Sequence, residues 1–169
     1  MKLTRVCLVG FPAAMLLAGP LQAAPGVASP TALKTCPLSV EEIKAATGFS
    51  FRWINEFAAE AKPKDGMART VCAGPDEKGS VQFRINQIWF EPATAATRIQ
   101  AWRRQNMAEG EALAGVEEGA WWDAGKRLKS HYRLAYVRGN VVTEIGLADP
   151  PADRVPTLRE TLLKLRRVP

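Results

Sequence analysis

Apolar and polar positions recur along this chain with two different periods, and the switches between them mark its elements. The first helical signal is a capping box, Ser39 with Glu42, followed by Val40 and Ile43 as the apolar stripe and Gly48 as the stop. Alternation then sets in: Phe49, Phe51 and Trp53 against Ser50 and Arg52 predict a strand. Residues 58–68 are polar and broken by Pro63 and Gly66, a loop with room for one helical turn. Two further strands, Arg69 to Ala73 and Ser80 to Phe90, flank a turn at Gly74, Pro75, Asp76 and Gly79. Pro92 introduces a helix running to Ala108, with Ala95, Ile99 and Trp102 on one side.

The second half reads in the same order. After a loop punctuated by Gly110, Gly115 and Gly119, Ala120 to Asp123 makes a short strand. Strands His131 to Val137 and Val141 to Leu147 flank Arg138-Gly139-Asn140, a tight hairpin signal. A last helix, Ala152 to Arg167, carries Val155, Leu158, Leu162 and Leu165 at helical spacing. Strand, strand, helix thus occurs twice, with little residue identity between the copies. Hairpins followed by helices predict an α+β domain, a mainly antiparallel sheet covered by helices, over residues 39–169.

The first 23 residues belong to a different class. Lys2 and Arg5 precede a mainly apolar stretch, Val6 to Leu17, and no acid occurs before residue 24. Gly19, Pro20 and the Leu21-Gln22-Ala23 end supply a helix break and a small residue at the cut, so 1–23 reads as a cleavable secretory signal. Gly10, Pro12, Gly19 and Pro20 leave no apolar run of the roughly 20 residues a membrane span needs. Cys7 lies too early and Cys36 too late for lipid attachment at the cut, so the expected product is periplasmic or secreted, with no stable membrane anchor. Residues 24–38, rich in proline and small side chains, read as an extended arm.

Export changes the meaning of charge and of cysteine. The full chain carries +6, of which Lys2 and Arg5 hold two, so +4 remains on the mature chain. That excess favours anionic partners, an envelope protein or an anionic envelope component. Nucleic acid is not expected, since no binding motif accompanies the charge. Cys36 and Cys72 are the cysteines left after cleavage, and an oxidising compartment predicts a disulfide between them. Closing that loop contributes roughly 4 kcal/mol on the chain-entropy argument. A redox pair would need a closer spacing such as C-x-x-C. Two cysteines and one histidine this far apart do not suggest a metal site, and no cofactor is expected.

The chain also resembles a group of small exported bacterial proteins of unknown function. The residues concerned are Cys36 before a helix ending at Gly48, Cys72 on a strand, Gly115-Val116-Glu117-Glu118-Gly119-Ala120-Trp121-Trp122, and the Gly139-Asn140 hairpin. The resemblance implies an α/β sandwich similar to the PsbP and Mog1 type and an extracytoplasmic location. Many such proteins have a lipid-attachment cysteine at the cleavage site, which this chain lacks. The group offers no agreed catalytic residues to transfer.

Candidate chemistry is sparse. His131 is the single histidine and the natural general base, but no carboxylate neighbours it in sequence. Glu117 and Glu118 lie in a glycine-rich loop where adjacent acids ordinarily face solvent. No nucleophile elbow, S-x-x-K or phosphate-cradling glycine loop is present. The five tryptophans are more informative: Trp53 and Trp102 continue apolar faces, whereas Trp121 and Trp122 must point to opposite faces of a strand. One of that pair, or Trp89 in the Ile88-Trp89-Phe90 run, is therefore a candidate binding platform. Arg98, Arg103 and Arg104 are candidate docking groups on a helix, while Lys164, Arg166 and Arg167 complement a helix C-terminus. The reading that results is a non-enzymatic binding or interaction module; the competing one is an envelope hydrolase using His131 and Glu118.

Overall fold

The computed structural model describes residues 36, 38–51, 55–57, 67–115, 119–126 and 129–165. The expected signal, nearly all of the arm, Trp53, Glu117, Glu118, Arg166 and Arg167 lie outside the described residues. Within them the chain forms α1 (Val40–Thr47), β1 (Asn55–Phe57), β2 (Met67–Pro75), β3 (Gln82–Phe90), α2 (Ala95–Asn106), β4 (Glu111–Ala112), β5 (Ala120–Ala124), β6 (His131–Arg138), β7 (Val141–Ala148) and α3 (Leu158–Lys164). The strands make one sheet in the order β1-β2-β3-β7-β6-β5-β4, and every neighbouring pair is antiparallel. This is an α+β domain, as the patterning predicts. No helix among the described residues is long and apolar enough to cross a membrane.

Local chemistry explains the element ends. Ser39 Oγ accepts from the Glu42 amide at 3.2 Å while Glu42 Oε2 accepts from the Ser39 amide at 2.7 Å, which closes the expected capping box. Gly48 ends α1 at φ 75°, a left-handed conformation that glycine adopts without strain. The strand expected from Phe49 is, over its described residues, a single bridge between Phe51 and Asp76. The Phe49 amide donates to Thr47 Oγ1 at 3.2 Å, and the Ser50 carbonyl accepts from the Glu77 amide at 2.9 Å beside that bridge. The turn after β2 starts later than expected, because Gly74 and Pro75 still pair with Phe83 and Gln82. Asp76 Oδ1 accepts from the Ser80 and Val81 amides at 2.7 and 3.0 Å and so defines the turn itself.

Both later helices are shorter than expected. Pro92 sits in a turn, and α2 begins at Ala95. Pro156 lies in a 3-10 turn, Val155–Thr157, so that α3 begins only at Leu158. The apolar residues keep their roles even so, with Leu158, Leu162 and Leu165 buried.

Two cores sandwich the sheet. One packs Ile43 of α1 and Leu158 and Leu162 of α3 on Phe83, Ile85, Leu134, Tyr136, Ile145 and Leu147. The other packs Ala95, Ile99 and Trp102 of α2 on Ile88, Phe90, Ala135, Val137 and Val142. Leu134 and Ala135 are adjacent on β6, so the two cores lie on opposite faces. This corrects the sequence-level repeat: the two strand-strand-helix runs place their helices on opposite sides of the sheet, so the order of elements recurs without a structural duplication.

Candidate functional site

One helix cannot cover a whole sheet face. On the α2 side the positions beyond the helix are polar, and they link up across five strands. Asp123 on β5 and Arg133 on β6 are directly opposed. The Arg133 guanidinium donates to Asp123 Oδ2, to Glu144 Oε1 on β7 at 3.0 Å, and to the Asn106 carbonyl at the end of α2 at 2.9 Å. Asn86 on β3 opposes Glu144 and donates to its Oε2 at 3.1 Å. Arg69 on β2 then donates to Asn86 Oδ1 through Nε and Nη2, at 3.2 and 3.0 Å. Gly146 makes room for this: it opposes Arg133, whose Cγ would lie 3.4 Å from a Cβ there.

The charges in this chain of contacts differ in how far they are balanced. Asp123 is 2 % exposed and Arg133 12 %, a buried pair. Asp123 Oδ1 also accepts from the Gly125 and Lys126 amides, at 3.1 and 3.2 Å. Desolvation works against the Arg133 charge, but its bonds to Asp123 and Glu144 outweigh that and hold its pKa above the ordinary value. Arg69 is in the opposite situation. Desolvation first, then the charge of Arg84, push its pKa below the ordinary value, and Glu144 offsets this only in part. Among the described residues neither Arg69 nor Arg84 forms a salt bridge.

These groups surround a concavity of about 450 Å³, with Arg69, Arg84, Asn86, Arg133 and Glu144 around it and His131 at its edge. A second hollow of about 400 Å³ adjoins it between α2 and the sheet. It is lined by Ile88, Phe90, Ala101 and Trp102 with Arg98, and it shares Arg69, Asn106 and Glu144 with the first. Both fall in the size range of small-ligand sites.

The sequence candidates fall elsewhere, with two exceptions. Trp121 and Trp122 do point to opposite faces, but both are 8 % exposed, one in each core. Trp122 stacks with Tyr132 at 6.4 Å, and the Arg103 guanidinium lies 5.2 Å over the Trp121 ring. Trp89 is equally buried. All three side chains are therefore buried, Trp121 within the α2 core and Trp122 within the core beneath α1 and α3, rather than presented as an open platform. Arg104 is exposed, apart from the concavity, whereas Arg98 lines the second hollow. His131 is exposed, with Nδ1 3.0 Å from the Lys129 carbonyl oxygen. Cys72 is fully buried in the core beside Phe83 and Ile85, and Cys36 is half-buried against the same cluster. No disulfide bond is seen among the described residues.

The residues that do form the concavity were overlooked in the sequence because each looks like an ordinary outward-facing position. Phe83-Arg84-Ile85-Asn86 and Tyr132-Arg133-Leu134 alternate as any half-exposed strand would. Their one distinguishing signal is charge of both signs on strands that prove to be central. Among the described residues no cluster of three or more metal-ligating side chains occurs. The chain matches no protein-family model, no curated protein and no solved structure.

Proposed function

We propose that the protein is an exported, non-enzymatic binding module, working in the periplasm or after secretion, and that it takes a small anionic ligand in the concavity beside Arg69 and Arg84. The observation that carries this reading is the uneven charge balance. Arg133 is neutralised by Asp123 and Glu144, whereas Arg69 and Arg84 face the same space without a salt bridge among the described residues; Asp149 is the other acid on the lining, and Glu144 offsets the Arg84 repulsion on Arg69 only in part. Two neighbouring guanidinium groups repel each other, and a bound carboxylate or phosphate oxygen removes that cost while accepting paired hydrogen bonds. The Asn86–Glu144 contact fixes the floor beneath them. Export rests on the N-terminal pattern, and the disulfide between Cys36 and Cys72 follows from export.

The test has two arms. Fractionation of expressing bacteria is expected to recover a chain beginning at Ala24, and an intact Met1 refutes export. Calorimetric titration of the mature chain with citrate and with inorganic phosphate is expected to show saturable binding that weakens with added salt. Arg69→Gln removes charge-assisted hydrogen bonds worth about 1.5–3 kcal/mol, a loss of roughly tenfold to a hundredfold in affinity. Binding that ignores both Arg69→Gln and Arg84→Gln overturns the assignment of the site.

A further inference from the structure

The geometry points to an amphiphilic ligand, an oxyanion head carried on an apolar body, with the head at Arg69 and Arg84 and the body in the hollow between α2 and the sheet. This rests on the anion-binding reading above and adds the ligand's other half. The two hollows adjoin, since Arg69, Asn106 and Glu144 line both. Their chemistry differs across that divide. Beyond Arg84 the walls are polar, with Gln82, Asn86, His131 and Asp149. On the α2 side the floor is Ile88, Phe90 and Trp102, with Ala101 between Arg98 and Gln105 on the helix.

A simple hydrophilic anion uses only the first hollow. It leaves unfilled a groove whose floor belongs to the second hydrophobic core. Ala101 is half-buried and small, so the helix leaves space above that floor. Glu144 lies at the junction, but its two oxygens are held by Arg133 and Asn86, so its charge does not stand alone against an arriving anion. An apolar chain attached to the head gains from leaving water along the groove, about tenfold in affinity for every two methylene groups buried.

Titration of the mature chain with four probes tests this: inorganic phosphate, decyl phosphate, decanoate and decanol. The two amphiphilic anions are expected to bind at least tenfold more tightly than phosphate, and decanol more weakly than either. Ala101→Phe, which fills the groove, is expected to bring decyl phosphate back toward the affinity of phosphate while leaving phosphate unchanged. Ala101→Met serves the same end should the ring disturb α2, and unchanged helical circular dichroism establishes that either variant folds. Phosphate binding through Arg69 with no gain from the decyl chain overturns this inference and leaves the anion site standing. Decanol binding as tightly as the anions also overturns it, because head and body then act independently. Absence of binding by all four probes defeats both readings.

Discussion

Replacing Arg133 by methionine keeps most of the side-chain length and removes a guanidinium that bonds to Asp123, Glu144 and the Asn106 carbonyl. The consequence depends on burial. Asp123 is 2 % exposed and Glu144 13 %, so the variant strands two carboxylates largely away from water. Breaking a buried pair from one side costs about 3–5 kcal/mol, because the remaining charge stays desolvated. The lower end applies here, since Asp123 keeps the Gly125 and Lys126 amides and Glu144 keeps Asn86. About 3 kcal/mol is a large share of a domain stability of about 5–15 kcal/mol.

Urea unfolding followed by tryptophan fluorescence reads this directly. With a slope of about 1–3 kcal/mol per molar, the midpoint falls by about 1–3 M. Arg159→Met is the control: its bond to Glu111 is 3.2 Å long, but the side chains are 40 % and 60 % exposed, so the expected loss is under about 1 kcal/mol. Adding Asp123→Asn to Arg133→Met removes one stranded charge, and the double variant is expected to lose less than the sum of the singles. The raised Arg133 pKa makes its contribution fully present below its ordinary value and lost only as pH rises through the folded one, in strong alkali. The arginine's share is therefore constant between pH 6 and 9. A loss from Arg133→Met no larger than that from Arg159→Met refutes the argument, since the network then behaves as a solvated surface.

Other consequences are simpler to check. Gly119 has φ 102°, and a Cβ there would lie 2.9 Å from Trp121 Cη2, so Gly119→Ala is expected to cost more than about 1 kcal/mol in the same urea assay. In a Trp53→Phe background the remaining tryptophans are all buried, and their emission is expected to be blue-shifted and weakly quenched by acrylamide; strong quenching contradicts the covering of both sheet faces. Material purified from the periplasm and denatured without reductant is expected to show no titratable thiol, and two thiols per mature chain defeat the proposed disulfide.

Sequence pattern located the core more readily than the site, and the reason is physical. Helical apolar spacing is a local property, so Ile99 and Trp102 on α2 and Leu158 and Leu162 on α3 were legible as core-facing stripes without knowledge of strand order. The Trp121-Trp122 step was legible in the same way, as two residues on opposite faces. Whether either ring met solvent depended on helix placement, which is not local. α2 and α3 proved to cover different faces, although both carry an apolar stripe and both follow a hairpin. The concavity depends on non-local order to a greater degree. Arg69, Asn86, Glu144, Arg133 and Asp123 span 76 residues of chain and meet only because β7 lies between β3 and β6.

The remaining question is whether Arg84 serves the fold or a ligand, and stability separates the two. A polar sheet face beside a single helix needs outward side chains that tolerate water, and cross-strand pairs of opposite charge meet that need. Asp123 with Arg133 is such a pair. Arg84 is not: it faces solvent from β3, forms no salt bridge among the described residues, and its charge lowers the pKa of Arg69. If its role is ligand binding, the unliganded protein carries a repulsion that Arg84→Gln relieves. The variant is then expected to be more stable than the parent by a few tenths of a kcal/mol at low salt, a small figure because both residues are exposed enough for solvent to screen them. The parent is expected to gain stability when phosphate is added, and the variant to gain less. A destabilised Arg84→Gln, with an unchanged response to phosphate, would make Arg84 part of the scaffold and leave Arg69 alone at the site.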